Sequence, residues 1–407
     1  MFRTVIALSL TLSPALPAAD WPQFLGPTRD NATPDAIAPW TDPPKPLWSK
    51  PVGAAHSAPV VANGLVYAFF QPGKEDADAL AAFDAASGEK KWEKSYPRAR
   101  FTPPFGTGPR GTPCVDGGFA YTFGGTGVLA CWDAKTGDVK WKVDTLKEFD
   151  AKNLFFGIST SPTVVGDTVV VMVGGKDAGV VALNKKSGEV AWKATGDPAS
   201  YATPLTLGKG GADGFVFLTG SHVRGLSAAG KPLWAVPFKD KLNESSTTPV
   251  KVGNLIVASS VTAGTIAFDP AAVAKDADAK PAWKDEKLTC YFSTPVAVGK
   301  HLYMVNGAAT LTNPSITLRC VDAGTGEVKW SKEKYGKYHA AIVRTGDDKL
   351  LILDDAGNLM LVEPSAEGYK ELAKAKVCGP TWAHPAVADG RLFVRDEKEL
   401  HCFKLGK

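Results

Sequence analysis

No stretch of this 407-residue chain approaches the ~20 consecutive apolar residues that a membrane-spanning helix needs. No charge of one sign accumulates either. Against 42 Asp and Glu stand 46 Lys and Arg, a net +4 with no basic tract, and this excludes the electrostatic footprint of a nucleic-acid binder. The 6 cysteines include no adjacent pair and no C-x-x-C-H haem attachment, and the 6 histidines show no zinc spacing. Neither a phosphate-cradling P-loop nor a G-x-S-x-G nucleophile turn is present. The acidic runs Lys74–Asp78 and Lys275–Lys280 alternate carboxylates but lack the glycine and terminal glutamate of a calcium loop. They read as solvated loops. No catalytic residue and no metal ligand is assigned.

Residues 1–19 read as a secretory signal peptide: Arg3 supplies the charged start, Thr4 to Leu12 the apolar stretch, and LPAA the small-residue exit before cleavage at Ala18 or Ala19. No cysteine stands near that exit, so no lipid anchor is expected. The expected location is the periplasm or another exported compartment, in soluble form. In such a compartment six cysteines invite disulfides. However, Cys131, Cys320 and Cys402 stand where other repeats carry Ala82, Ala182 and Ala267. They read as small apolar filling, and free thiols are expected.

What the chain has in abundance is glycine (41), proline (30) and a repeat built on tryptophan. Near-identical segments run from Asp84 to Trp92, Asp133 to Trp141, Asn184 to Trp192 and Asp322 to Trp330, with degenerate copies ending at Trp234 and Trp283 and a strand around Trp48. Successive tryptophans lie 42 to 51 residues apart, the period of four-stranded propeller blades. Seven of the units open with a proline, mostly after a small residue, which suits the first residue of a strand because proline has no N–H to donate. The D-x-x-[ST]-G turns are hairpin chemistry: Asp or Asn bonds to the backbone ahead of it and Gly supplies the positive φ.

The count is eight units. The seventh has lost its tryptophan, with Leu372 near the expected place, and the last stops after its third strand. The expected fold is therefore all-β, an eight-bladed β-propeller of four-stranded blades over residues 46–407. The strand around Trp48 completes the last blade, and closure removes the open sheet edges. Trp48, Trp92, Trp141, Trp192, Trp234, Trp283 and Trp330 are the expected docking residues between blades. Residues 20–45 read as an arm packed on the ring by Trp21, Phe24 and Trp40.

On these motifs the chain resembles the pyrroloquinoline quinone (PQQ)-like propeller repeat proteins, whose docking motif A-x-D-x-x-[ST]-G-x-x-x-W is matched in AFDAASGEKKW, CWDAKTGDVKW, ALNKKSGEVAW and CVDAGTGEVKW. The opening WPQFLGPTRDN also looks like the start of exported bacterial members. The family holds quinoprotein dehydrogenases and non-catalytic scaffolds such as the BamB lipoprotein of outer-membrane barrel assembly. The dehydrogenases resemble one another in a Cys-Cys pair and in long insertions carrying Ca²⁺ ligands, and this chain has neither. The resemblance thus implies a scaffold binding a protein or small ligand, with no cofactor. A compact PQQ- and Ca²⁺-dependent oxidoreductase, or a carbohydrate-binding propeller stacking sugars on Trp382 and Tyr338, stands as the alternative.

In a propeller the connections into the innermost strands converge on one face, and they vary here while the frame repeats. Variable loops on a repeating frame are where repeat scaffolds place function. The expected binding mouth is lined by Arg100, Arg110, Phe156, Tyr291, Tyr338, His339 and Trp382, with the insertion 306–315 on the same face.

Overall fold

In the computed structural model, which describes residues 20–307 and 314–405, eight sheets of four antiparallel strands stand around a central channel. The first blade shows the pattern: Val60–Ala62 innermost, then Leu65–Phe70, Ala77–Asp84 and, outermost, Lys90–Pro97. The proline of each opening motif immediately precedes an inner strand, as Pro113 precedes Cys114–Asp116. A lone four-stranded sheet cannot bury both faces, so the core lies between blades. One apolar cluster joins Val66 and Phe83 to Leu353, Phe393 and Cys402, with the eighth blade packed between the first and the seventh. The signal-peptide reading falls on residues outside those described, and most of the insertion 306–315 does too.

The eighth blade is closed by the N-terminal strand. Pro46–Pro51 pairs with Glu399–Lys404, setting Trp48 opposite Cys402. The Trp48 indole is 8% exposed, and its Nε1–H donates to the Ala85 carbonyl of the first blade at 3.2 Å. Arg395 crosses the same seam fully buried, donating to the carbonyls of Phe69 at 3.3 Å and of Gly53. Burial pulls its guanidinium down to about 10.

The tryptophan strands dock each blade on the next. The Ala134 carbonyl accepts from Trp92 Nε1 at 3.3 Å and Tyr67 Oη at 3.2 Å, and the Lys185 carbonyl accepts from Trp141 and Tyr121 in the same way. Trp283 and Trp330 donate to Ala323 and Ser365 of the following blade. Trp192 lies over Gly230, and Trp234 meets Phe268 edge-on at 5.5 Å. The turn glycine is needed twice over. Gly137 has φ +77°, and a Cβ there would come within 2.4 Å of the Trp92 ring. Gly137→Ala is therefore expected to cost roughly 2–4 kcal/mol from the left-handed backbone and the overpacking together. Urea melts would show it, and a loss under ~1 kcal/mol would contradict the docking geometry.

One sequence expectation is sharpened by the register and a second is corrected. In the seventh blade Leu361 faces Ala373, and Leu372 sits in the bulge beside it. Because Ala82 faces Trp92 at the corresponding pair, the missing tryptophan corresponds to Ala373, one residue beyond Leu372. Nor is the run Lys74–Asp78 simply a solvated loop. Asp78 already belongs to the strand Ala77–Asp84, is 1% exposed, and receives Arg98 Nε at 3.0 Å. Asp276 and Asp278 are exposed, beyond the short helix Pro270–Lys275 that Asp269 caps. All six cysteines are buried and unpaired.

Residues 20–45 cross the channel on the face where the inner strands end. Trp21 bridges Val61, the Pro22 carbonyl accepts from Val115 N, and Arg29 donates to the Val164 carbonyl at 2.9 Å. Asn31 then meets Arg344, and the Asp35 carboxylate accepts from Gly390 N. Arg29 also donates to Thr206 Oγ1 in the fourth blade, so the arm ties together six blades and floors the channel, with Phe24 reaching up to His384 at 5.0 Å between ring centroids.

Candidate binding mouth

The opposite end of the channel opens as an aromatic cup of about 480 Å³. Its upper wall is a nearly continuous run of rings. Tyr291 stacks on Phe292 (3.7 Å), Phe292 on Trp382 (5.3 Å), and Trp382 leads through Phe105 and Phe156 to Tyr201. Tyr338 meets Trp382 edge-on at 5.7 Å, and the Asp355 carboxylate fixes it by accepting its backbone N–H at 2.7 Å. At the rim Phe105, Phe155 and Leu242 are 43%, 68% and 47% exposed. Apolar side chains left this wet at a cup mouth mark a binding site more often than scattered exposed residues do.

The buried Asp78–Arg98 pair anchors one wall. Arg98 also donates to the Thr107 carbonyl at 3.0 Å, and this folds 99–110 back over the channel. The returning loop then offers its carbonyls to the cup: Phe105 O accepts from His56 Nε2 at 2.6 Å, while Pro104 O and Gly106 O accept from Arg110 at 2.9 and 3.2 Å. Burial pulls the Arg110 guanidinium down to about 10. Across the cup the Glu244 carboxylate accepts from Tyr291 Oη. Burial, with that hydrogen bond and the nearby Glu244 charge, holds the Tyr291 phenol well above its usual range.

The lower wall holds three histidines and a belt of hydroxyls. His339 and His384 are 2% and 7% exposed with rings 5.2 Å apart, and desolvation holds both neutral, His339 at about 4. His56 is pulled down to about 4 by burial and by the nearby Arg110 and Arg395 charges. The belt runs through the residues before the strand-opening prolines. Ala58 N donates to Thr112 Oγ1 at 3.2 Å, Thr112 N to Ser161 Oγ at 3.0 Å, Ser161 N to Thr203 Oγ1 at 2.9 Å, and Thr248 N to Thr294 Oγ1 at 3.1 Å. Sequence reasoning took these motifs only as strand openers. Their recurring Ser or Thr before Pro was the available signal for an inter-blade belt.

Of the mouth residues expected from sequence, Arg110, Phe156, Tyr291, Tyr338, His339 and Trp382 come together in the cup. Arg100 does not. It is exposed on the loop outside the lining, and the arginine of this stretch that turns inward is Arg98. Phe24 and Glu244 complete the lining; the first could not be foreseen, because its arrival depends on the arm crossing the channel.

A family profile described as outer membrane protein assembly factor BamB matches residues 79–332. No curated protein matches. Among solved structures, BamB from Moraxella catarrhalis aligns with a TM-score of 0.58 at 16% identity, over 88% of this chain and 98% of that one. A quinohemoprotein alcohol dehydrogenase from Comamonas testosteroni aligns at 0.65 and 14% identity, over 96% of this chain and 81% of that one. The computationally designed Ika8 protein aligns at 0.58 and 11%, over 87% and 98%. At such identities the likeness is one of fold.

Proposed function

This chain belongs to the family described as outer membrane protein assembly factor BamB, and from that premise we propose that it is an exported, non-catalytic propeller that receives a partner at the aromatic mouth. The observation that carries the reading is the cup itself: exposed Phe105, Phe155 and Leu242 rim a cavity of about 480 Å³. Elsewhere the described surface exposes single apolar side chains on outer strands, such as Leu47, Val190 and Leu233, but none of them borders this cavity. Aromatic side chains and arginine dominate binding hot spots, and the lining is rich in the first with Arg110 as the second. A role in outer-membrane assembly follows from the family and is part of the proposal.

The donor set speaks for a scaffold over a quinoprotein enzyme. The carboxylate in the cup, Glu244, already accepts from Tyr291. No group of three His, Cys, Asp or Glu side chains is placed to hold a cation among the described residues. Those residues do not fit a Ca²⁺-bound quinone.

The test is site-specific photo-crosslinking in intact cells. A crosslinking residue at Phe155 or Leu242 is expected to trap the same partner, and one at Glu189 on an outer turn to trap none. The triple variant Arg110→Ala, Tyr338→Ala, Trp382→Ala should lose that adduct while its thermal midpoint stays within a few degrees. Adducts arising only from the outer turns or from the exposed Glu75 and Asp76 would place the binding face elsewhere.

A further inference from the structure

Two opposite formal charges line the cup and do not meet. Arg110 makes no ion pair among the described residues and spends its N–H groups on the carbonyls of Pro104, Gly106 and Gly108. Glu244 likewise has no cationic partner and is held by the Tyr291 hydroxyl. A charge partly removed from water and left unpaired is expensive, and two opposite ones in one cavity would relieve that cost by pairing. Here each is tied to its own wall instead.

Tyr201 lines the same cup. It is 8% exposed, and its hydroxyl accepts from Phe156 N at 3.2 Å. Among the described residues its own O–H hydrogen has no acceptor, so a buried donor faces the cup unspent. Below, His339 Nε2 and His384 Nδ1 are buried polar atoms without partners. Buried polar groups are almost always bonded, and such exceptions need an explanation.

The geometry points to a small zwitterion with an apolar body, an aromatic α-amino acid, whose carboxylate meets Arg110 and Tyr201 and whose ammonium meets Glu244. This rests on the reading of the mouth as a binding site and names the ligand class. The pairing of fixed charges with a ligand's own two charges compensates both without bringing the walls together. The exposed rings then cover the side chain. A ligand with one charge leaves the other wall charge unpaired, so selectivity comes from that penalty as much as from attraction.

Isothermal titration of the full protein at neutral pH, with L-phenylalanine, 3-phenylpropionate, phenethylamine and glycine, tests this directly. Phenylalanine should bind saturably, 3-phenylpropionate and phenethylamine at least roughly tenfold more weakly, the ratio that one charge-assisted hydrogen bond supplies, and glycine at least as weakly because it leaves the rings uncovered. Arg110→Gln should reduce phenylalanine to the affinity of phenethylamine, and Glu244→Gln to that of phenylpropionate, with both variants melting as the parent does. Single-charge analogues binding as well as phenylalanine would overturn the assignment, and so would charge variants that leave its affinity unchanged. Should no amino acid bind while the crosslinker at Phe155 still traps its partner, this inference falls and the scaffold reading stands; loss of both sinks both.

Discussion

Trp48→Ala should destabilise the protein by roughly 3–5 kcal/mol, the usual cost of truncating a large buried aromatic. That is a large share of the 5–15 kcal/mol a native fold commands. The reason is closure. Trp48 sits on the strand that completes the last blade and lies against the turn of the first, where a Cβ on Gly88 would come within 2.6 Å of its ring. It is 8% exposed, whereas Trp141, in the corresponding position between the second and third blades, is half-buried. Trp48→Ala should therefore cost at least as much as Trp141→Ala in parallel urea melts. Deleting 46–52 should be worse, since it also exposes the edge of Glu399–Lys404 and invites edge-to-edge aggregation. A Trp48→Ala protein of parental stability would show that the clasp contributes nothing to holding the ring.

Acidification should loosen the mouth. His339 and His384 are buried without charged partners, and the folded state holds His339 at about 4 against an ordinary 6.5. Between those values the unfolded chain binds more protons than the folded one, so stability is complete above pH ~6.5 and falls as the pH drops toward 4. For His339 alone the loss by pH 4.5 is about 2–3 kcal/mol, from 1.36 kcal/mol per pKa unit. His384, lowered further, adds to it. Asp78 works in the opposite direction: burial pushes its carboxyl up to about 6, so the folded state takes up that proton more readily and part of the loss is offset. Urea melts at pH 7.5 and pH 4.5 check the balance. His339→Gln should flatten the dependence across this window, and an equally steep profile in that variant would remove the histidine from the account.

The ring was legible because its causes are local. Asp84 Oδ1 accepts from the backbone N–H groups of Ala86 and Ser87, and Gly88 takes φ +68°; those requirements recur as D-x-x-[ST]-G whatever the rest of the molecule does. The tryptophan period, the proline-opened inner strands and the borrowed strand at Trp48 follow the same logic of counting short segments that each need one neighbour. Even the identity of Cys131, Cys320 and Cys402 as filling could be read from register, because each faces a tryptophan on the outer strand of its blade.

The mouth was legible only as a set of loops. Which side chains turn inward depends on contacts between residues far apart in sequence: Arg98 rather than Arg100 is drawn in because Asp78 waits for it, buried, on a neighbouring strand. Phe24 reaches the channel because residues 20–45 bond to inner strands and their turns in six blades. Spacing along the chain by itself determined the blades, their number and their closure, since hairpin geometry is written in a few adjacent residues. Only the tertiary structure decided the floor of the channel, the hydroxyl belt and the separation of Arg110 from Glu244, because each arises where segments converge in space and no local pattern records that convergence.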